Sequence, residues 1–463
     1  MSTLVSPRNV EPMRGEPPGP KGVPYFGCVG EMRRNPMRFF TKVAQTYGGI
    51  ARIPLMTGSH VYLVSEPALL HELLVANRDK YMKNVRYRQA QDLVGLGLLL
   101  SEGDSWKRQR LSAQPGFNPG YVYNQIGWMA EATERFLEGW EARVDTGKAF
   151  DVEPHFFRLA QLLAGEMMLG PHFREIADRF CGHAVAIRQN WPMPPRGILS
   201  FLRPPPLIRL ARLQKELAGL NALIYAFLDE RRRHDFEDSG IIMLLARASA
   251  ETGEVFDDRE LRDQIMTLFF AGHETSATAL CWLHYLLSRY PEVRNRLQRE
   301  VDEVIGTRRP AAEDIQKLSY TEQVINEALR LYSPIHSISR VATEDNTIGG
   351  YHIRKGSTVV VSMYATHRLP RYWLDPERFD PERFALRRQT ERPRFSFLPF
   401  AVGHRNCIGG SMAMIEIKMI VACIARRYRL DVMTGHPVEP QPGTTMYPRY
   451  GMKMTLKRAW AAA

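Results

Sequence analysis

Cysteine is scarce in this chain of 463 residues. The five present, Cys28, Cys181, Cys281, Cys407 and Cys423, are odd in number and form no Cys-x-x-Cys pair, which excludes a disulfide framework and a zinc finger or ribbon. Glycine and proline, 34 and 31, make about 14% of the residues, far below the fibrous or low-complexity range. No run approaches the roughly 18 apolar residues of a membrane-spanning helix. No dinucleotide fingerprint is present either: Gly95-Leu96-Gly97 continues as Leu98-Leu99-Leu100 and lacks the third glycine. Acidic residues are outnumbered, 50 against 62 Lys and Arg, for a net charge of +12. That balance suits nucleic acid, a membrane surface or an acidic partner. The basic residues are scattered, with no run longer than Arg231-Arg232-Arg233 and no nucleic-acid motif beside them, so nucleic acid is not expected.

The 44% hydrophobic residues are mostly patterned for helices. Residues 1–20, closing on Pro17-Pro18-Gly19-Pro20, read as a disordered tail. Alternation in Ala51-Arg52-Ile53 and Val61-Tyr62-Leu63-Val64 predicts a hairpin, and strands are expected from Ile348 to Ser362 around the turn Arg354-Lys355-Gly356. The longest helix should start after Asp257, capped with Glu260, and stop where Tyr290 meets Pro291. A second should start near Ser319, with Glu322 completing a capping box, and end before Pro334. Six prolines between Trp191 and Leu210 predict a mobile lid with possible peripheral membrane contact. With no repeat and no linker, residues 21–463 read as one domain, mainly α with small β-sheets and a small β-rich N-terminal subregion.

One cysteine stands apart. Cys407 lies in Pro399-Phe400-Ala401-Val402-Gly403-His404-Arg405-Asn406-Cys407-Ile408-Gly409-Gly410, a glycine-punctuated loop leading into a helical pattern. Free backbone N–H groups and a helix dipole there favour a thiolate. The glycines admit a flat group, and Arg405 offers a cation to an anion beside it. The other four cysteines read as ordinary core residues. Elsewhere, Ala271-Gly272-His273-Glu274-Thr275-Ser276 places an interior glycine, costing roughly 1 kcal/mol relative to alanine, beside an acid and a hydroxyl. It does not begin a zinc-protease motif, because position 277 is Ala. Glu327-Ala328-Leu329-Arg330 alone would be an ordinary surface pair.

These segments together resemble the cytochrome P-450 monooxygenases. Phe400, Gly403, Arg405, Cys407 and Gly409 match that family's haem-thiolate loop, whose Phe, two Gly and Cys would match by chance on the order of one time in a thousand over such a chain. The acid–hydroxyl motif resembles the family's oxygen-binding kink, with Glu274 where Asp is more frequent and Thr275 steering protons. Glu327 and Arg330 match Glu-x-x-Arg, and Arg383, in Pro381-Glu382-Arg383-Phe384, would complete a structural Glu-Arg-Arg network. Trp106 and Arg110, with Arg340 and Arg405, fall where the family binds haem propionates.

The resemblance implies a cytochrome P-450 fold and haem b, with Cys407 as thiolate ligand of the iron and Ala271, Gly272, Glu274 and Thr275 on its other side. The activity implied is oxidation of a lipophilic molecule, such as a terpenoid, steroid or fatty acid, by dioxygen and two electrons. By family position the substrate pocket draws on Leu98, Leu99, Leu100, Leu268, Phe269, Ala271, Ile335, Ile338, Met446 and Tyr447, although each could equally be core. Electrons would come from a separate acidic ferredoxin or flavodoxin with its NAD(P)H reductase, docking on a basic face of Lys107, Arg108, Arg387, Arg388, Arg392, Arg394, Arg426 and Arg427. A monomer in the cytoplasm is expected. A peroxide-driven haem-thiolate peroxygenase and a non-enzymatic haem-thiolate sensor are the alternatives.

Overall fold

The computed structural model describes residues 15–84, 87, 90–191, 206–233, 240–251, 253 and 255–459. The chain divides into two compact units. The first comprises Met1–Asn84, Ile335–Arg378 and Thr390–Cys407, and the second Val85–Pro334, Phe379–Gln389 and Ile408–Ala463.

The first unit is built on a five-stranded sheet, in the order Ile50–Pro54, His60–Val64, Thr358–Val361, Ile338–Ala342, Tyr81–Lys83. The expected hairpin is there, with Ala51 opposite Leu63 and Ile53 opposite Val61. Strand side chains alternate between faces. Ala51, Ile53 and Leu63 pack with Phe39, Phe40 and Val43 of the helix Pro36–Tyr47, whose start is capped by the Asn35 side chain. Ile50, Tyr62 and Val64 join Val359 and Val361 in a second core.

The strands expected around Arg354-Lys355-Gly356 are present: Tyr351–Ile353 pairs with Asn346–Ile348, and Thr358–Val361 runs parallel to His60–Val64. One expectation needs correction here. The supposed tail to residue 20 is tied down at its end, where the Pro18 carbonyl accepts the Arg52 N–H at 2.9 Å. Residues 1–14 lie outside the described residues.

The second unit is largely helical, giving the expected mainly α architecture with small sheets. Its long helix is Asp258–Arg289, and both halves of the Asp257–Glu260 capping box form. Along most of its length it is buried on several faces, as a central helix must be. The helix Ser319–Leu331 exists as expected, but without a side-chain cap of its own. Instead the Glu300 carboxylate accepts the N–H groups of Tyr320 and Thr321, at 2.6 and 2.7 Å. An acid from the helix Pro291–Val304 thus replaces the capping box read at Glu322. The proline-rich interruption ends sooner than expected, since Pro206–Arg233 is helical; residues 192–205 lie outside the described residues.

Candidate active site

The cysteine loop closes the first unit. Gly403 has φ +80° and an added Cβ would lie 2.1 Å from the Leu74 carbonyl oxygen, so only glycine lets the chain turn there. Ala401 takes a positive φ of 54° without being glycine, an observed strain in the same turn. The loop is cross-tied by Asn406 N–H to the Gly403 carbonyl at 3.1 Å and Cys407 N–H to the Phe400 carbonyl at 2.9 Å. Cys407 is exposed, whereas the other four cysteines are buried. Burial pushes Cys181 up to about 11 and Cys423 up to about 12, and also raises Cys28 and Cys281. Those four are held as inert thiols. Burial first, then the positive field of Arg405, Arg78 and Arg340, lowers the pKa of His404. The loop is therefore cationic ground, with Arg340 itself only 7% exposed.

In the second unit, the long helix runs unbroken through 271–276. The kink expected there is not seen; the Thr275 hydroxyl instead adds a bond to the Ala271 carbonyl at 2.8 Å. Such back-bonding gives the carbonyl a partner besides the helix ladder. A methyl on Gly272 would meet only Ala164 Cβ, at 3.9 Å, so packing among the protein's own helices does not require glycine there. Glu274 accepts the Thr445 hydroxyl at 3.0 Å, and burial raises its pKa. One residue past Thr275, the Ser276 hydroxyl donates to Glu416 at 3.2 Å. Glu416 belongs to the helix Gly410–Ala425 that follows the cysteine loop.

Glu327, Arg330 and Arg383 are brought together, all buried. Arg330 donates to Glu327 through Nε and Nη2, at 2.7 and 2.8 Å. Arg383 Nε adds a third bond at 3.3 Å and the Asp380 N–H a fourth at 2.9 Å.

The family profile described as Cytochrome P450 matches residues 17–456. The chain belongs to the cytochrome P450 family. Among curated relatives, cyclooctatin synthase of Streptomyces melanosporofaciens is 33% identical over 94% of this chain and 93% of its own length. Cyclooctat-9-en-7-ol 5-monooxygenase of the same organism is 32% identical over 92% and 90%. The crystal structure of the cytochrome P450DA heme domain superposes with a TM-score of 0.85 at 24% identity, covering 97% of this chain and 99% of that one. As a P450, this protein is a monooxygenase whose cofactor is haem b.

Its residues fit that group. Among the described residues no three His, Cys, Asp or Glu side chains converge as a metal site. A single exposed thiol instead suits an iron that brings four ligands in its own macrocycle. Arg340 and Arg405, which both act on His404, are cations of the kind that two propionates require. Trp106 and Arg110 share the helix Gly103–Ala113 and are both half-buried. Gly409 would tolerate a Cβ, whose nearest neighbour is the Phe117 ring at 3.6 Å.

The expected pocket residues separate. Leu98 is buried, Leu99 exposed and Leu100 between, on a loop held to the long helix. Leu96 N–H donates to Asp263 at 2.8 Å, Leu98 N–H to Gln264 at 3.2 Å, and the Thr267 hydroxyl to the Val94 carbonyl at 3.1 Å. A Cβ on Gly95 would strike the Asp263 carboxyl at 1.9 Å, so Gly95-Leu96-Gly97 serves loop–helix contact. Ala271 is exposed and Leu268 buried. Phe269, expected in the lining, belongs to the core: it is 1% exposed and lies 4.9 Å from the Phe180 ring. Its neighbour Phe270 is half-buried, and nothing in the sequence sets it apart from Phe269. Ile335 and Ile338 are half-buried in the first unit, Met446 is fully buried and Tyr447 half-buried.

The basic docking face also needs correction. Lys107 pairs with Asp104 at 2.9 Å, Arg387 with Glu382 at 3.3 Å and Arg426 with Glu134 at 2.8 Å. Arg108 pairs with Glu260. Half of the eight named charges are thus compensated locally. Among the described residues no helix is long and apolar enough to cross a membrane.

Proposed function

We propose that Cys407 is the thiolate that holds the haem iron, with Phe400, Gly403 and Gly409 shaping its loop, and that Trp106, Arg110, Arg340 and Arg405 bind the propionates. The observation that carries this reading is the contrast among the cysteines: four are buried and pushed toward the thiol form, and one is exposed in a strained, cationic loop. Bound haem supplies the reductive activation of dioxygen and the insertion of one oxygen atom into a carbon–hydrogen bond. Ala271 and Gly272 leave the helix surface uncrowded, and Thr275 presents a hydroxyl. Glu274, its pKa raised by burial, releases a proton toward that hydroxyl and recovers one from solvent. The ferrous carbon monoxide spectrum tests the ligand: Cys407→Ser is expected to shift its Soret band, and an unchanged band would refute the assignment.

The substrate is read as a terpenoid, the class favoured among the lipophiles by relatives named for cyclooctatin chemistry. Within the second unit, Leu98, Leu99, Leu100, Leu268, Ala271, Phe270 and Tyr447 are the apolar residues read as lining for it. Polycyclic terpenoids should induce a high-spin shift of the ferric haem more strongly than steroids or fatty acids; the reverse order would remove this reading. Electrons are read as coming from a separate ferredoxin or flavodoxin in the cytoplasm. With much of the basic face paired, the rate of first reduction should fall only modestly with salt, and a steep fall would restore the original docking face.

A further inference from the structure

Residues 274, 278 and 282 are four apart on the long helix and so form one stripe along it. All three engage the same two residues of the C-terminal hairpin, in which Pro442 pairs with Met446 and Gln441 with Tyr447. Trp282 Nε1 donates to the Met446 carbonyl at 2.6 Å, the Thr278 hydroxyl donates to the Thr445 hydroxyl at 3.3 Å, and the Thr445 hydroxyl donates to Glu274 Oε1 at 3.0 Å. The Met446 N–H is fixed in turn by the Pro334 carbonyl at 2.8 Å. Thr445 is 1% exposed and Met446 fully buried, so this latch is shielded from water. A hydroxyl has one proton to give. Because Thr445 accepts from Thr278, its own proton is directed to the carboxyl.

We propose that Thr445 is the positioning residue of Glu274, holding its carboxyl in the orientation from which the proton is delivered. This inference rests on the reading of Glu274 as the proton source. Besides Thr445, the charged groups that act on the carboxyl are Arg188 and Glu153, which pair with each other at 2.6 Å. Burial raises the pKa, Arg188 and the Thr445 bond lower it, and Glu153 raises it again. A hydroxyl holds the carboxyl in place without locking it as an anion, as a direct cation would. Met446 and Tyr447 adjoin Thr445 in sequence, so a substrate that shifts this hairpin reaches the proton source through one hydrogen bond.

The test compares Thr445→Val with Thr445→Ser in the holoenzyme. One readout is product formed per electron consumed. The other is infrared titration of the Glu274 carboxyl in the resting protein without electron donor, its band assigned by loss in Glu274→Gln. Thr445→Val should lower product per electron about tenfold, the worth of one such bond, and move the titration midpoint upward. Thr445→Ser should restore both, and Thr445→Val should add nothing on a Glu274→Gln background. Thr278→Val leaves Thr445 in place but undirected, should shift the midpoint the same way by less, and serves if Thr445→Val does not fold. An unmoved midpoint and wild-type coupling in these variants, with Glu274→Gln impaired, would overturn the positioning role. If Glu274→Gln itself keeps full coupling, the proton-source reading fails, and an unmoved midpoint would then overturn the positioning bond separately.

Discussion

Glu327 and Glu416 are both buried, at 0% and 5% exposure, and both lie in the second unit, yet their partners differ in kind. Glu327 accepts four hydrogen bonds, three of them from the guanidinium groups of Arg330 and Arg383. Glu416 accepts one hydroxyl bond, from Ser276, and burial pushes its pKa up to about 7. Paired cations offset the desolvation of a buried carboxylate only when its lone pairs are also satisfied. Glu327 meets both conditions, and the network belongs to architecture. A carboxyl given only hydroxyls stays able to exchange its proton near neutrality. Glu274, with Thr445 as its hydroxyl partner, likewise has its pKa raised by burial.

The largest effect should come from unpairing the network. Glu327→Gln keeps the side-chain shape but leaves two buried guanidinium groups with no anion, and breaking such a group costs about 3–5 kcal/mol. Urea unfolding should show that loss, together with lower haem occupancy on purification. A variant as stable as the parent would mean that the network contributes nothing to the fold, and the contrast with Glu416 would dissolve.

The parts of this site that could be read from the sequence are those whose residue types and spacing are local. The cysteine loop packs its glycines, Arg405 and Cys407 into twelve residues, and Asp257 with Glu260 announces the long helix on its own. Glu-x-x-Arg could be found but not judged, because its burial depends on Arg383, 56 residues from Glu327. Thr445 left no signal, since one threonine 171 residues from Glu274 looks like any other. Glu416 did leave one: it is an acid within the apolar run Met414-Ile415-Glu416-Ile417 of a helix whose flanks are buried, a pattern that asks for a partner. Phe269 and Phe270 both lie in an apolar stretch, and only the helix's rotation decides which ring enters the core. The pairing of two docking charges is hidden for a related reason, as Glu260 and Glu134 reach Arg108 and Arg426 from distant segments.

The smaller effect concerns Glu416 and has a definite sign. In the unfolded chain this carboxyl loses its proton near the usual 4.5, and in the folded protein near 7. Between those values the folded state holds a proton that the unfolded state has released, so raising the pH disfavours folding. The group's stabilising contribution is complete below about pH 4.5, declines as pH rises toward 7 and stays lost above that. A shift of this size corresponds to about 3 kcal/mol. Glu416→Gln cannot ionise and retains an acceptor for Ser276. Its urea midpoint should match the parent's near pH 4.5, exceed it increasingly up to about pH 7 and by a constant margin above that, whereas Glu327→Gln should remain the less stable protein throughout. Parallel curves for Glu416→Gln and the parent would mean that Glu416 ionises as freely folded as unfolded, and that burial beside a single hydroxyl partner does not hold its proton.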